Sequence, residues 1–156
     1  MKHLKAIVLD VDGVLTDGGV WWGANGEEWK RFCYADIMGV SLAMKSGLTV
    51  ALISGEDSPL VDRFAVKLGI TDVEKNCKDK ARALRAFAER RGLALSEVTF
   101  MGDDVNDLKA MGIAGLAATP ANAAPLVIER ATFISTKNGG HGAVRELVDA
   151  ILRAKQ

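Results

Sequence analysis

Three short apolar runs in this sequence stop abruptly at oxygen-bearing side chains. Residues 5 to 9 run into Asp10-Val11-Asp12-Gly13, residues 48 to 53 into Ser54-Gly55, and residues 98 to 101 into Gly102-Asp103-Asp104. Runs of this length, separated by longer amphipathic stretches, are the mark of strands buried on both faces and joined by helical crossovers. No linker rich in Pro, Gly or Ser interrupts the alternation. The pattern predicts an α/β chain, a Rossmann-like, doubly wound parallel sheet built as one domain over residues 1–156. Strands are expected at 5–10, 48–54, 98–103, 113–118 and 131–135, and helices at 35–46, 57–68, 78–91, 104–111, 121–130 and 142–154. Ser58-Pro59 marks a capped helix start, Gly69 and Gly92 stand where left-handed helix ends belong, and Ser96 opens the turn into the third strand.

Residues 17–32 break the alternation. They contain all three tryptophans, and Asn25-Gly26 is a strong two-residue hairpin signal. A β-hairpin projecting from the sheet is expected there. A lone hairpin is marginal in water, and Val20, Trp21, Trp22 and Trp29 carry too much apolar area for an exposed flap. A partner surface, most simply another copy of the chain, is expected to cover it.

Twenty basic residues balance twenty acidic ones. With no basic stripe for a phosphate backbone, nucleic-acid binding is not expected. No apolar run reaches the ~18 residues of a membrane helix, and the opening segment meets acids before a signal-peptide core forms. A soluble, cytoplasmic protein is expected. Cys33 and Cys77 lack metal-ligand or redox spacing and read as reduced, space-filling thiols.

Chemistry concentrates at the strand ends. In open α/β sheets ligands bind where strands reach their carboxyl ends. Asp10 and Asp12 leave the first strand, and Asp103, Asp104, Asn106 and Asp107 follow the third. Two acidic strand ends imply a divalent cation, and oxygen ligands without nearby His or Cys favour Mg2+. Ser54-Gly55, just before a helix, offers a hydroxyl and main-chain N–H groups to a phosphate, and Lys80 offers the matching positive charge. Singly, each signal is ordinary: an acid pair is most often solvated, a Ser-Gly is most often a helix cap, and a lysine is most often a surface charge. The ordered set of acid, hydroxyl, lysine and acid on successive strands is what carries information.

At this point the chain resembles the haloacid dehalogenase superfamily of phosphotransferases. That family's first motif reads here as Asp10-Val11-Asp12-Gly13-Val14-Leu15-Thr16-Asp17, and its later motifs match Ser54, Lys80 and the run from Gly102 to Asp107. The resemblance extends to the capless branch of phosphatases acting on 3-deoxy-2-keto sugar acids. It is carried there by Asp17-Gly18-Gly19, the run Gly26 to Phe32, Gly112-Ile113-Ala114-Gly115 and the tail from Gly139 to Glu146. It implies that Asp10 is the nucleophile that forms an aspartyl-phosphate and that Asp12 is the acid and then the base. It further implies Mg2+ between Asp10, the Asp12 carbonyl and Asp103, with Ser54 and Lys80 on the transferring oxygens. Gly13 and Gly55 would border the phosphate. Asn106 and Asp107 would orient Lys80 or a water on the metal, with Asp104 beside them. The branch is tetrameric, with hairpins gathered at the centre and partner chains completing each site, so a homotetramer is expected.

Only 41 residues separate Asp12 from Ser54, and 25 separate Ser54 from Lys80. Neither interval holds a separate lid, so no cap domain is expected. For the substrate, Glu56 follows Ser54-Gly55 where the octulosonate 8-phosphate enzymes typically carry Arg and the nononate 9-phosphate enzymes carry Glu. This favours 2-keto-3-deoxynononate 9-phosphate, or an N-acylneuraminate 9-phosphate, over 3-deoxy-D-manno-octulosonate 8-phosphate. Glu56, Arg63 and Lys67 are expected on one helical face, with the two cations receiving the substrate's carboxylate. One departure is Phe64, where the nononate branch has Arg. Two readings of another class are a phospho-acceptor receiver domain and a non-catalytic assembly module. The first places its phosphorylated Asp on a later strand than its acid pair, and the second does not require the catalytic positions, all of which are intact here.

Overall fold

The computed structural model describes residues 1–156. Its strands are β1 (Ala6–Leu9), β2 (Trp21–Trp22), β3 (Glu28–Trp29), β4 (Thr49–Ile53), β5 (Asp72–Glu74), β6 (Val98–Met101), β7 (Leu116–Thr119) and β8 (Phe133–Ile134). Its helices are α1 (Tyr34–Lys45), α2 (Pro59–Leu68), α3 (Lys80–Arg90), α4 (Leu108–Met111), α5 (Pro125–Arg130) and α6 (Ala143–Lys155). Six strands form one parallel sheet in the order β5-β4-β1-β6-β7-β8. The strand carrying Asp10 is therefore central, with β4 on one side and β6 on the other.

Alternation along β1 explains the two-layered core. Ile7 and Leu9 join a cluster with Val40, Phe64, Leu147 and Ile151 from α1, α2 and α6. Ala6 and Val8 join a second cluster with Leu84, Phe87, Met111 and Val127 from α3, α4 and α5. Each fully buried aliphatic side chain contributes about 1.5–3 kcal/mol, so the apolar run that defines β1 anchors both layers. Ser58 caps α2 by accepting the Leu60 N–H at 3.3 Å, and Gly69 closes it at φ +72°.

Four expectations change in detail. β5 is an edge strand that the sequence pattern did not mark, because Asp72-Val73-Glu74 is short and polar. The helix expected at 104–111 is a 3-10 turn at Val105–Asp107 followed by one turn of α4. The Asp107 carboxylate captures the N–H groups of Asp103 and Asp104 there, holding the segment in a turn. The helix expected from 121 begins at Pro125, which occupies its first position. β7 starts three residues later than expected, because the Gly115 backbone is pressed against Ser96.

The expected hairpin forms: β2 and β3 pair antiparallel, with Trp21 opposite Trp29 and Trp22 opposite Glu28. Its arms close at a Thr16–Phe32 bridge, and Phe32 stacks on Phe64 at 4.9 Å. Trp21 and Trp22 are 72% and 77% exposed, so the domain that holds the base of the hairpin leaves its tryptophans uncovered. No segment between the strands forms a cap, and no helix is long and apolar enough to cross a membrane.

Candidate active site

The carboxyl ends of β1, β4 and β6 open into a cavity of about 450 Å³. Asp10 continues β1, donating its N–H to Met101 O at 2.9 Å, while its carboxylate accepts the Val11 N–H at 2.7 Å. The chain then turns tightly: Val14, Leu15 and Thr16 all donate to Val11 O, and the Thr16 hydroxyl accepts from Gly13 and Gly18 at 3.2 Å each. Gly13 is required twice. Its φ is +82°, and a Cβ there would lie 2.0 Å from an Asp103 carboxylate oxygen.

Lys80 opens α3 with its ammonium buried, 2.7 Å from Asp10 and 2.7 Å from Asp107. Asp107 is fully buried and uses its other oxygen on the Asp103 and Asp104 N–H groups at 3.0 and 3.3 Å. Carboxylate oxygens of Asp10, Asp103 and Asp107 lie within 4.8 Å of one another. Three acids and one lysine leave excess negative charge in a buried place. Burial first, then Asp107, pushes the Asp10 carboxyl up to about 8 despite Lys80. Burial first, then Asp107 and Asp104, pushes Asp103 up to about 7. Burial opposes the Lys80 charge, but Asp10 and Asp107 outweigh it and hold the ammonium above its ordinary value. An all-oxygen cluster with uncompensated charge fits a hard divalent cation.

The remaining sequence candidates separate into groups. Asp12, Gly13, Gly55, Glu56, Asp104 and Asn106 line the same cavity as Asp10, Lys80 and Asp103. Ser54 is fully buried behind Gly55, its hydroxyl accepting the Glu56 N–H at 3.2 Å. Asp107 contacts Lys80 directly. Arg63 and Lys67 instead line an adjoining hollow of about 200 Å³ with Lys30, Leu60 and Phe64. Glu56 precedes the Ser58 cap, so it does not share the helical face of Arg63 and Lys67. A spacing of seven would share a face only if the helix reached back to Glu56, and α2 begins at Pro59.

Two residues escaped the sequence reading. Lys30, just after β3, places its ammonium 2.9 and 3.1 Å from the two oxygens of Asp12. The alternation of Glu28, Lys30 and Phe32 on one side of a hairpin arm was the available signal. Asp36, buried in α1, accepts the N–H groups of Gly142 and Arg145 at 3.0 Å each and so caps α6. Nothing local in the sequence marks a contact that spans more than a hundred residues.

Comparison with known proteins agrees with this geometry. Residues 39–147 match the model of a haloacid dehalogenase-like hydrolase family. The chain is 38% identical to the 3-deoxy-D-manno-octulosonate 8-phosphate phosphatase of Escherichia coli K12, over 99% of this chain and 82% of that one. The Moraxella catarrhalis enzyme of the same name, solved with magnesium, phosphate and the sugar acid, superposes with a TM-score of 0.96 at 38% identity. That match covers 99% of this chain and 88% of the other. A haloacid dehalogenase superfamily hydrolase from Legionella pneumophila is 40% identical, with a TM-score of 0.97 over 99% of this chain and 85% of its own. With its central acid-bearing strand, its lysine between two carboxylates and its lack of a cap, this chain belongs to the haloacid dehalogenase-like hydrolases, in their capless phosphatase branch.

Proposed function

We propose that the chain hydrolyses the phosphate monoester of a 3-deoxy-2-keto sugar acid through an aspartyl-phosphate on Asp10. The observation that carries this reading is the buried Asp10–Lys80–Asp107 triad with Asp103 alongside. Lys80 holds one Asp10 oxygen and the Val11 N–H the other, which orients the carboxylate for attack on phosphorus. The new P–O bond forms as the bond to the sugar oxygen breaks, and Asp12 gives that oxygen its proton. Asp12 then takes a proton from the water that cleaves the aspartyl-phosphate, which regenerates Asp10 and releases phosphate. Lys80 and the main-chain N–H groups around Gly55 hold the transferring oxygens, with Ser54 shaping that loop from behind. Asp10, the Asp12 carbonyl and Asp103, with Asp107 beside them, would hold Mg2+, which would supply the charge that lets an anionic phosphate approach a carboxylate.

Two substrates have distinct support. Glu56 on the cavity wall supports the nine-carbon acid, 2-keto-3-deoxynononate 9-phosphate, since a carboxylate there accepts hydrogen bonds from sugar hydroxyls and repels the substrate's own acid group. The identity to octulosonate 8-phosphate phosphatases supports the eight-carbon acid. A phosphate-release assay with Mg2+ over both acids and common sugar phosphates decides. The reading expects both acids to exceed the common sugar phosphates in kcat/KM, with the nine-carbon acid first and Glu56→Arg narrowing or reversing the ratio. A tenfold preference for the eight-carbon acid removes the Glu56 argument alone. Release from common sugar phosphates at the same kcat/KM removes the sugar-acid class, and no release at all removes the phosphatase reading.

The exposed Trp21, Trp22 and Trp29 support assembly into a homotetramer, with hairpins of neighbouring copies covering one another. Such packing would supply the wall that a missing cap leaves open over the cavity.

A further inference from the structure

Asp12 is the one acid in the cavity whose partner comes from the hairpin. Lys30 reaches both of its oxygens, at 2.9 and 3.1 Å, and the Lys30 side chain is only 4% exposed. Such a long side chain is rarely this covered unless it is held. Its stem lies along the hollow formed with Phe32, Leu60 and Phe64. Burial works against its charge, yet Asp12 and Glu28 keep the ammonium above its ordinary value.

Lys30 is itself anchored. Glu28, two residues earlier on the same arm, lies 3.5 Å from the Lys30 ammonium through the same oxygen that accepts the Ser58 hydroxyl at 3.0 Å. The other Glu28 oxygen accepts the Trp22 indole N–H at 3.2 Å. Ser58 caps α2, and the Phe32 bridge to Thr16 fixes the arm at its base. The line from α2 through Ser58, Glu28 and Lys30 to Asp12 is thus continuous, and each link is a hydrogen bond or an ion pair.

We propose that Lys30 is a positioning residue for Asp12: its two contacts fix the plane of the carboxylate, and Glu28 with Ser58 fixes Lys30, so that the hairpin aims the acid. This rests on the phosphatase reading, in which Asp12 serves the leaving oxygen. Misaimed by even one ångström, a general acid loses much of its effect. In the phosphoryl-transfer step a residue that acts through Asp12 matters only where the leaving group needs a proton, whereas the later water step, with Asp12 as base, is common to all substrates.

The test compares two leaving groups. Nitrophenolate departs without protonation, whereas a sugar alkoxide does not. In kcat/KM, which reports events through the first irreversible step, Lys30→Met is expected to lose about tenfold or more on the sugar-acid phosphate, and at most a few-fold on p-nitrophenyl phosphate. The loss should fall in kcat rather than KM, and Lys30→Arg should recover part of it. Glu28→Gln, which keeps Lys30 but loosens its anchor, should show the same selectivity at smaller size and guards against a folding defect in the first variant. Equal losses on both substrates, or none on either, overturn the role of Lys30 while an active wild type preserves the phosphatase reading. A wild type that turns over neither substrate with Mg2+ overturns both.

Discussion

Removing divalent metal should make the folded chain lose stability as pH rises from mildly acidic to neutral. Asp10 is pushed up to about 8 and Asp103 to about 7, from an ordinary carboxylate value of 3.8. Between pH 4 and 7 the native state therefore holds protons that the unfolded chain has released. Stability follows the protons bound in the unfolded state minus those bound in the native state, so its slope against pH is negative in this window. One such proton is worth about 1.4 kcal/mol per pH unit. Asp103 is partly open to water and its share is screened, so we count Asp10 alone and expect about 3 kcal/mol lost between pH 5 and 7. That is a large part of the ~5–15 kcal/mol that holds a domain together. Saturating Mg2+ needs both carboxylates ionised and should flatten the curve, so that stabilisation by the metal grows with pH. Asp36, held above its ordinary value by burial, adds the same sign in both conditions, so the difference between the curves isolates the site. Urea unfolding at pH 5, 6 and 7, in chelator and in Mg2+, measures this. A chelator curve that is flat or rises with pH, or equal slopes in both conditions, would refute the reasoning.

Asp10→Asn should abolish turnover while circular dichroism and melting stay near wild type; retention of more than about a tenth of kcat, or ~1.4 kcal/mol of barrier, is incompatible with Asp10 as nucleophile. Gly13→Ala adds a carbon 2.0 Å from the Asp103 carboxylate at φ +82°; it should cost about 2–4 kcal/mol and weaken Mg2+ binding, and calorimetry showing unchanged metal affinity would contradict the close approach. Light scattering at micromolar concentration should give a tetramer, and a clean monomer of 16.6 kDa would leave the exposed tryptophans without a covering partner.

The central strands and their acids were legible because burial on both faces forces a continuous apolar run, which then ends where the chain meets solvent and ligand. Asp10, Asp12, Asp103 and Lys80 all line one cavity because β1 lies between β4 and β6, a neighbour relation that the order of motifs implied but could not display. Edge strand β5 was illegible for the opposite reason: three half-buried residues at the sheet margin need no apolar pattern. The expected shared face of Glu56, Arg63 and Lys67 failed against a signal already present, since Ser58-Pro59 starts the helix two residues after Glu56. Lys30 escaped because its meaning lies in a contact across a hairpin, and Asp36 because its partners lie at the far end of the chain.

The loop that follows Asp10 leans on residues that the ribosome makes long after it. A Cβ on Gly139 would sit 1.8 Å from the Gly13 carbonyl, and the Gly140 N–H donates to Val14 O at 3.0 Å. β1 emerges early in synthesis, at a pace of ~5–20 residues per second, but its acid-bearing turn finds that support only after the Gly139-Gly140 segment has left the exit tunnel. Unfinished or truncated chains that lack this segment are therefore predicted to be inert toward metal and phosphate even where the sheet has begun to form. Arrival of the Gly139-Gly140 segment becomes, in effect, the event that switches the chemistry on.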